Sequence, residues 1–156
     1  MLIKVLIVSF LLIAGCQDNF QRDYERAKSL SEKQQNREAS VILYDIVNSD
    51  KSQQELKYKS YFLLADIYLK MNQYENSINI YKKLLEAPIE NKLRKQSLFM
   101  IGYIYFNNLE MYSESILYYN QFLNEYQNDD LIASVNFELE TIQEILNKGK
   151  KWGNNG

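Results

Sequence analysis

The sequence contains few side chains that could catalyse a reaction or hold a metal ion. Histidine is absent and Cys16 is the sole cysteine, so histidine acid–base catalysis, serine–histidine triads, histidine-ligated metal sites and intramolecular disulfides are excluded. Between residues 17 and 148 the sole glycine is Gly102, which leaves no glycine-rich loop that could cradle a phosphate. We therefore expect a protein that is not an enzyme and that carries no cofactor and no metal.

Carboxylates are the remaining candidates for chemistry. Asp129 and Asp130 precede the last predicted helix, where acidic residues cap free N–H groups and complement the helix dipole, so a structural role is favoured. The pair Glu114-Ser115 resembles the Glu-Ser pair of peptidoglycan lytic transglycosylases, an exported, all-helical class that works with one glutamate. The residues after it, Ile116-Leu117-Tyr118-Tyr119, lack the Gly-Leu-Met-Gln segment of that class. A peptidoglycan-acting enzyme is therefore the less favoured alternative.

The first fifteen residues differ from the rest of the chain. A basic start at Lys4 precedes an apolar run from Val5 to Ile13, and Ala14 and Gly15 follow. This order is typical of a secretory signal peptide. The apolar run is much shorter than the roughly 20 residues that span a bilayer. We therefore expect residues 1–15 to be a cleaved signal peptide rather than a permanent membrane helix.

The end of this leader, Leu12-Ile13-Ala14-Gly15-Cys16, resembles the lipobox of bacterial lipoproteins. The resemblance implies that Cys16 carries a diacylglyceryl group through a thioether and becomes the N-terminus after cleavage. Two or more acyl chains make membrane anchoring stable. Gln17, rather than aspartate, follows the cysteine, which by the family's sorting rule implies the outer membrane, facing the periplasm, if the cell has two membranes.

The charge of the chain after cleavage argues against nucleic-acid binding. Loss of Lys4 leaves 17 basic and 20 acidic side chains, a net charge of about −3, whereas a nucleic-acid site needs Lys and Arg clustered on one face. The one basic cluster is Lys148, Lys150 and Lys151. We expect it to belong to a flexible C-terminal tail, residues 148–156.

The mature chain is expected to be all-helical. Gly102 and Pro88 are its sole glycine and proline between residues 17 and 148, and these two residue types are the strongest breakers of secondary structure. Leu, Glu, Lys, Gln and Ala fill long stretches in which apolar residues recur every three or four positions. Helices are predicted near residues 20–34, 36–48, 53–71, 74–86, 90–108, 111–126 and 130–147.

A pattern recurs three times at a period of 37 to 38 residues. Small residues occupy two columns of this repeat: Ala27, Ala65 and Gly102, and then Ala39, Ser77 and Ser115. Large residues follow the second column by four positions, at Leu43, Tyr81 and Tyr119. Helices pack closely where a small side chain faces a large one. The third copy carries one extra residue between its two segments.

These columns resemble the tetratricopeptide repeat (TPR), a helix A, turn, helix B unit. The resemblance implies an all-α, TPR-like α-solenoid of three helix-turn-helix repeats plus a C-terminal capping helix. Its domain, residues 21–147, follows a lipidated tether at 16–20; the repeats lie at about 20–50, 53–88 and 90–127, with the cap at 130–147. The chain departs from the family in its longer period, in Pro88 falling one place early, and in Gln34, Asn72 and Leu109 standing where the turn has glycine.

In the TPR family a partner lies in a groove lined by defined positions of helix A. When these positions are carried over by register, the resemblance implies the following groove residues, of which the last belongs to the cap helix: Tyr24, Lys28, Phe62, Asp66, Leu69, Lys70, Phe99, Tyr103, Phe106, Asn107 and Asn136. Aromatic anchors dominate the energetics of such interfaces, so we expect a peptide or helix of a partner protein to bind there. The alternative is that the chain itself, chiefly the cap helix, covers these rings.

The function expected from these features is a lipid-tethered scaffold that binds another protein in the cell envelope. Similar architectures serve outer-membrane β-barrel assembly, the Tol-Pal system and type IV pilus assembly, so outer-membrane or envelope-complex assembly is the expected setting. The thirteen tyrosines also fit a cell-wall or glycan-binding module. Most of them, however, stand in repeat columns, where packing explains them first.

Overall fold

The computed structural model describes residues 19–89 and 91–153, with side chains described as far as Gly149. These residues form seven helices and contain no strand. The helices are α1 (residues 19–32), α2 (Asn36–Asn48), α3 (Gln54–Lys70), α4 (Tyr74–Glu86), α5 (Asn91–Asn107), α6 (Tyr112–Glu125) and α7 (Ile132–Gly153). The expected all-α, TPR-like fold class is confirmed. The predicted signal peptide and Cys16 lie outside the described residues.

The helix bounds agree with those predicted from the sequence to within two residues, except at the end of α7. This helix continues to Gly153, whereas the prediction ended it at 147 and began a tail there. A single internal glycine costs a helix only about 1 kcal/mol, and Gly149 stands among lysines, which favour a helix C-terminus. Lys148 also pairs with Glu144 one turn earlier, at 3.7 Å.

The chain divides into two compact units, with the boundary after Ile89. In the first unit α1 to α3 form a core cluster, in which seven apolar residues are at most 7% exposed: Ala27, Ala39, Leu43, Ile46, Leu56, Leu64 and Ile67. Ala27 and Ala39 belong to the two small-residue columns. Because neither side chain extends beyond Cβ, the helices that carry them can approach closely.

The two small-residue columns are joined by hydrogen bonds in both units. Ser77 on α4 donates its hydroxyl to the carbonyl oxygen of Ala65 at 2.8 Å. Ser115 on α6 donates likewise to the carbonyl oxygen of Gly102, at 2.9 Å. Both serines are fully buried, so each hydroxyl is satisfied by the neighbouring helix backbone. The predicted pairing of helix A with helix B is therefore confirmed in the second and third repeats.

The turn between helices A and B uses a left-handed residue in all three repeats. Gln34, Asn72 and Glu110 have φ values of 63°, 58° and 53°. The sequence placed Leu109 at this position of the third repeat, and that assignment is wrong. The third turn is one residue longer. Its closing hydrogen bond runs from the N–H of Met111 to the carbonyl oxygen of Tyr105, six positions earlier. In the second repeat the corresponding bond, from Gln73 to Tyr68, spans five.

Over the residues that the structure describes, no helix has both the length and the apolar character that a membrane crossing requires.

Candidate partner-binding site

In the first unit, α3 carries four of the predicted groove residues. The ring of Phe62 is partly buried and meets the ring of Tyr81 edge to face, with centroids 5.4 Å apart. The hydroxyl of Tyr81 donates to the Asp66 carboxylate. Tyr81 itself is fully buried, so both predicted site residues rest on a fixed part of the core.

Burial raises the pKa of both members of this pair. Desolvation raises the pKa of the Asp66 carboxyl above its usual range, while the hydrogen bond from Tyr81 and the charge of Lys70 oppose the shift. The pKa of the Tyr81 hydroxyl is also raised, by desolvation first and then by Asp66. Tyr81 therefore stays protonated at neutral pH and remains the donor of the pair.

The remaining groove residues of the first unit are Tyr24, Lys28, Leu69 and Lys70. Lys70 is exposed and donates to the Ser31 hydroxyl at 3.0 Å. A pocket of about 520 Å³ beside this bond is lined by Ser31, Glu32, Gln34, Asn36 and Lys70. Leu69 and Tyr24 are partly buried, Tyr24 against the core cluster, and Lys28 is exposed.

In the second unit, α5 brings three predicted aromatic rings onto one helix. Phe99 lies 6.4 Å from Tyr103 and 6.0 Å from Tyr119, measured between ring centroids. Phe106 packs at 6.1 Å against Tyr112. Phe99, Tyr103 and Phe106 are each partly buried, neither open on all sides nor sealed in the core. Phe99 thus repeats the relationship of Phe62 to Tyr81, with Tyr119 as its buried support.

The cap helix α7 contacts this set at one end. The carboxylate of Glu138 accepts hydrogen bonds from the Tyr119 hydroxyl and from the side-chain amide of Asn107, the latter at 3.1 Å. Val135 and Ile142, on the same helix, are fully buried. The predicted groove residue Asn107 is therefore engaged by the cap helix. Asn136, on α7, is exposed.

Sequence reasoning missed the role of Glu138. The residue lies three positions after Val135 and four before Ile142, so it shares their buried side of the helix. An acidic residue is tolerated there because Tyr119 and Asn107 supply donors to it. In the second repeat the hydroxyl of Tyr81 donates to Asp66. The third repeat has Tyr103 in place of that aspartate. The buried hydroxyl of Tyr119 therefore needed an acceptor from elsewhere, and this need was the signal that could have identified Glu138.

A second pocket in the first unit was also missed. It has a volume of about 400 Å³ and lies where the C-terminal ends of α2 and α4 meet the first two turns of α3. None of its residues belongs to the predicted groove. No periodic pattern indicates this pocket, because its walls come from the ends of three different helices.

The column tyrosines bear on the glycan alternative. Tyr81 and Tyr119 are fully buried, so their rings cannot stack on a sugar.

In the described part of the chain, no group of three or more acidic, histidine or cysteine side chains is placed to hold a metal ion.

Comparison with known protein families supports the repeat assignment. Two family models, each described as tetratricopeptide repeat, match the chain at residues 58–88 and 96–129. The first match covers most of α3 and all of α4, and the second covers most of α5 and all of α6. No curated protein matches the chain significantly. The helix pairs and their small-residue columns agree with these two matches, which support tetratricopeptide repeats at residues 58–88 and 96–129.

Proposed function

We propose that this chain is a membrane-anchored TPR lipoprotein that acts as a protein–protein interaction scaffold in the bacterial cell envelope. TPR repeats generally bind protein partners and are generally not catalytic. The proposal assigns no reaction to the chain. Its expected setting is outer-membrane or envelope-complex assembly.

The observation that carries the binding role is the support beneath the aromatic rings of helix A. Phe62 rests on Tyr81 in one unit and Phe99 rests on Tyr119 in the other. Both rings are partly exposed, while both supporting tyrosines are fully buried. Rings held in one orientation lose little conformational freedom when a partner binds, which favours affinity.

The membrane anchor is proposed from the lipobox sequence alone. Only Gln17 and Asp18 separate Cys16 from the first described helical residue, Asn19. At about 3.5 Å per residue, the chain from Cys16 to Asn19 can span at most roughly 11 Å. Lipid on Cys16 would therefore keep the repeats close to the membrane surface, and Gln17 favours the outer membrane, periplasmic side, in a cell with two membranes.

The binding role can be tested by affinity capture from native envelopes with the full chain. Phe62→Ala and Phe99→Ala should each weaken capture of the partner, because each removes a supported ring. Tyr44→Ala is the matched control, since Tyr44 is an aromatic residue on α2 with 60% of its surface exposed. Unchanged capture by both phenylalanine variants, with their helical circular dichroism intact, would refute the role of the groove.

A further inference from the structure

The second pocket of the first unit has a chemistry of its own. Its walls combine an apolar part, formed by Val47, Leu84 and Pro88, with polar side chains from α3 and α4. Val47 and Leu84 are 6% and 1% exposed. A concave, largely apolar site with a few convergent polar groups is the usual form of a binding pocket, and about 400 Å³ lies within the normal range of ligand sites.

The two tyrosines of the pocket both have hydroxyl protons left to donate. Lys83 donates to the Tyr61 hydroxyl oxygen at 2.7 Å, and its ammonium lies 4.3 Å from the centroid of that ring. Gln54 donates to the Tyr58 hydroxyl oxygen, also at 2.7 Å. A hydroxyl that accepts one hydrogen bond still carries its own proton. Tyr58 and Tyr61 can therefore each donate to a third group in the pocket.

Charge in the pocket favours an anion. Lys57 lies one helical turn before Tyr61 on the same face of α3, and Lys83 is held beside Tyr61. Glu86 is the one carboxylate among the lining residues, against these two lysines. The side chains thus present more donors than acceptors and a net positive charge, which an anionic oxygen acceptor would complement.

The form of the anion follows from the opposite wall. Val47, Leu84 and Pro88 offer no side-chain donor, so an entering group must bring apolar surface to them. A carboxylate carries a single negative charge and suits one surplus lysine, whereas a phosphate dianion would leave charge uncompensated beside Glu86. A carboxylate joined to an aliphatic chain therefore fits the pocket better than a free phosphate.

We propose that this pocket binds an acidic side chain of a partner segment together with a neighbouring aliphatic side chain. This assignment rests on the proposed protein-binding function and names a second contact for it, separate from the aromatic residues of helix A. The phenol and ammonium donors of Tyr58, Tyr61, Lys57 and Lys83 hold the carboxylate, and Val47 and Leu84 contact the aliphatic group.

The test uses a defined probe, the peptide acetyl-Leu-Glu-Leu-amide, added to the chain without its leader while amide NMR signals are followed. Shifts should concentrate at α3 residues 54–61 and at the end of α4. The matched peptide acetyl-Leu-Gln-Leu-amide should bind at least about tenfold more weakly, because it lacks the charge-assisted hydrogen bonds. Absence of shifts at millimolar acidic peptide, or equal binding of both peptides, would overturn the proposal.

Variants locate the site. Tyr61→Phe removes one hydroxyl and Lys57→Met one charge, and each should weaken the acidic peptide several-fold while leaving thermal unfolding nearly unchanged. Lys92→Met, at an exposed lysine of α5, is the control and should have no effect. If Tyr61→Phe and Lys57→Met both bind the peptide as the parent chain does, the pocket is not its site.

Two further results separate this proposal from its alternatives. Inorganic phosphate that shifts the same signals at lower concentration than the acidic peptide would overturn the carboxylate assignment. Loss of partner capture with Phe62→Ala but not with Lys57→Met would leave the scaffold role standing and remove the pocket from it. If the peptide binds at the pocket while Phe62→Ala and Phe99→Ala capture the partner unchanged, the pocket assignment stands and the role of the aromatic groove falls.

Discussion

The ring of Tyr119 lies directly against the backbone of Gly102. A Cβ placed at residue 102 would come within 2.6 Å of Cε1 of Tyr119, closer than any ordinary contact between carbon atoms. Tyr119 is fully buried, and its hydroxyl is held by Glu138, so the ring cannot move aside freely. The approach of Tyr119 to α5 therefore requires glycine at residue 102, where the other repeats have alanine.

Gly102→Ala should destabilise the chain by up to about 2 kcal/mol. Overpacking costs about 1–3 kcal/mol, and the helix propensity of alanine returns up to about 1 kcal/mol of that. Urea unfolding measures the difference. In a Tyr119→Leu background, which frees space beside residue 102, the same substitution should cost less. An equal or greater cost there would show that the ring is not the cause.

Glu110→Gly and Gln34→Gly should stabilise the chain by up to about 1 kcal/mol each. Both residues have positive φ, which costs an ordinary side chain roughly 1–2 kcal/mol, and glycine avoids that cost at some loss of entropy on folding. Asn72→Gly should gain less, because asparagine tolerates this conformation. The free energy of unfolding tests the order, and a loss of stability at Glu110 would contradict it.

Asp66 should make the first unit less stable as the pH rises from about 4. Its folded pKa is raised by desolvation, so the native state binds its proton more tightly than the unfolded chain does. The stabilisation is complete below the ordinary carboxyl pKa of about 3.9 and is lost as the pH rises through the raised value. Asp66→Asn should flatten this part of the curve of melting temperature against pH. If the curve of Asp66→Asn is unchanged, the pH dependence of the melting temperature comes from groups other than Asp66.

Glu138→Ala should cost about 1–3 kcal/mol, since it leaves the buried hydroxyl of Tyr119 without its acceptor. Glu138→Gln keeps an acceptor oxygen and should cost less. The control is Glu140→Ala, at an exposed position of the same helix. Amide hydrogen exchange along α7 should speed up in Glu138→Ala alone. Equal exchange in both alanine variants would contradict the role of Glu138 in holding the cap.

Much of the fold could be predicted from the sequence because it depends on local periodicity. The small residues Ala65 and Ser77 stand twelve positions apart, and the register of two adjacent helices places them against each other, as the hydrogen bond between them confirms. The extra residue of the third repeat was detected as a shift in the columns. The position equivalent to the turn glycine of the family was assigned to Leu109, whereas the residue with positive φ is Glu110.

The candidate site was harder to predict, since it depends on contacts between distant parts of the chain. Register alone identified Phe62 and Phe99 as equivalent positions, and each rests on the equivalent tyrosine. Glu138 could not be assigned to Tyr119 without knowing how α7 is rotated. The pocket beside Tyr61 could not be foreseen either, because no sequence pattern shows which three helix ends come together.

The central claim is that supported aromatic rings of helix A bind a protein partner close to the membrane. Its most direct test places a photo-crosslinking amino acid at residue 99 in intact cells, with residue 44 as the exposed control. We predict one discrete crosslinked product from residue 99 and none from residue 44. The product should be lost in Cys16→Ser, which should also leave the membrane fraction. Equal crosslinking from both positions, or a Cys16→Ser chain that remains in the membrane and forms the same product, would contradict the account.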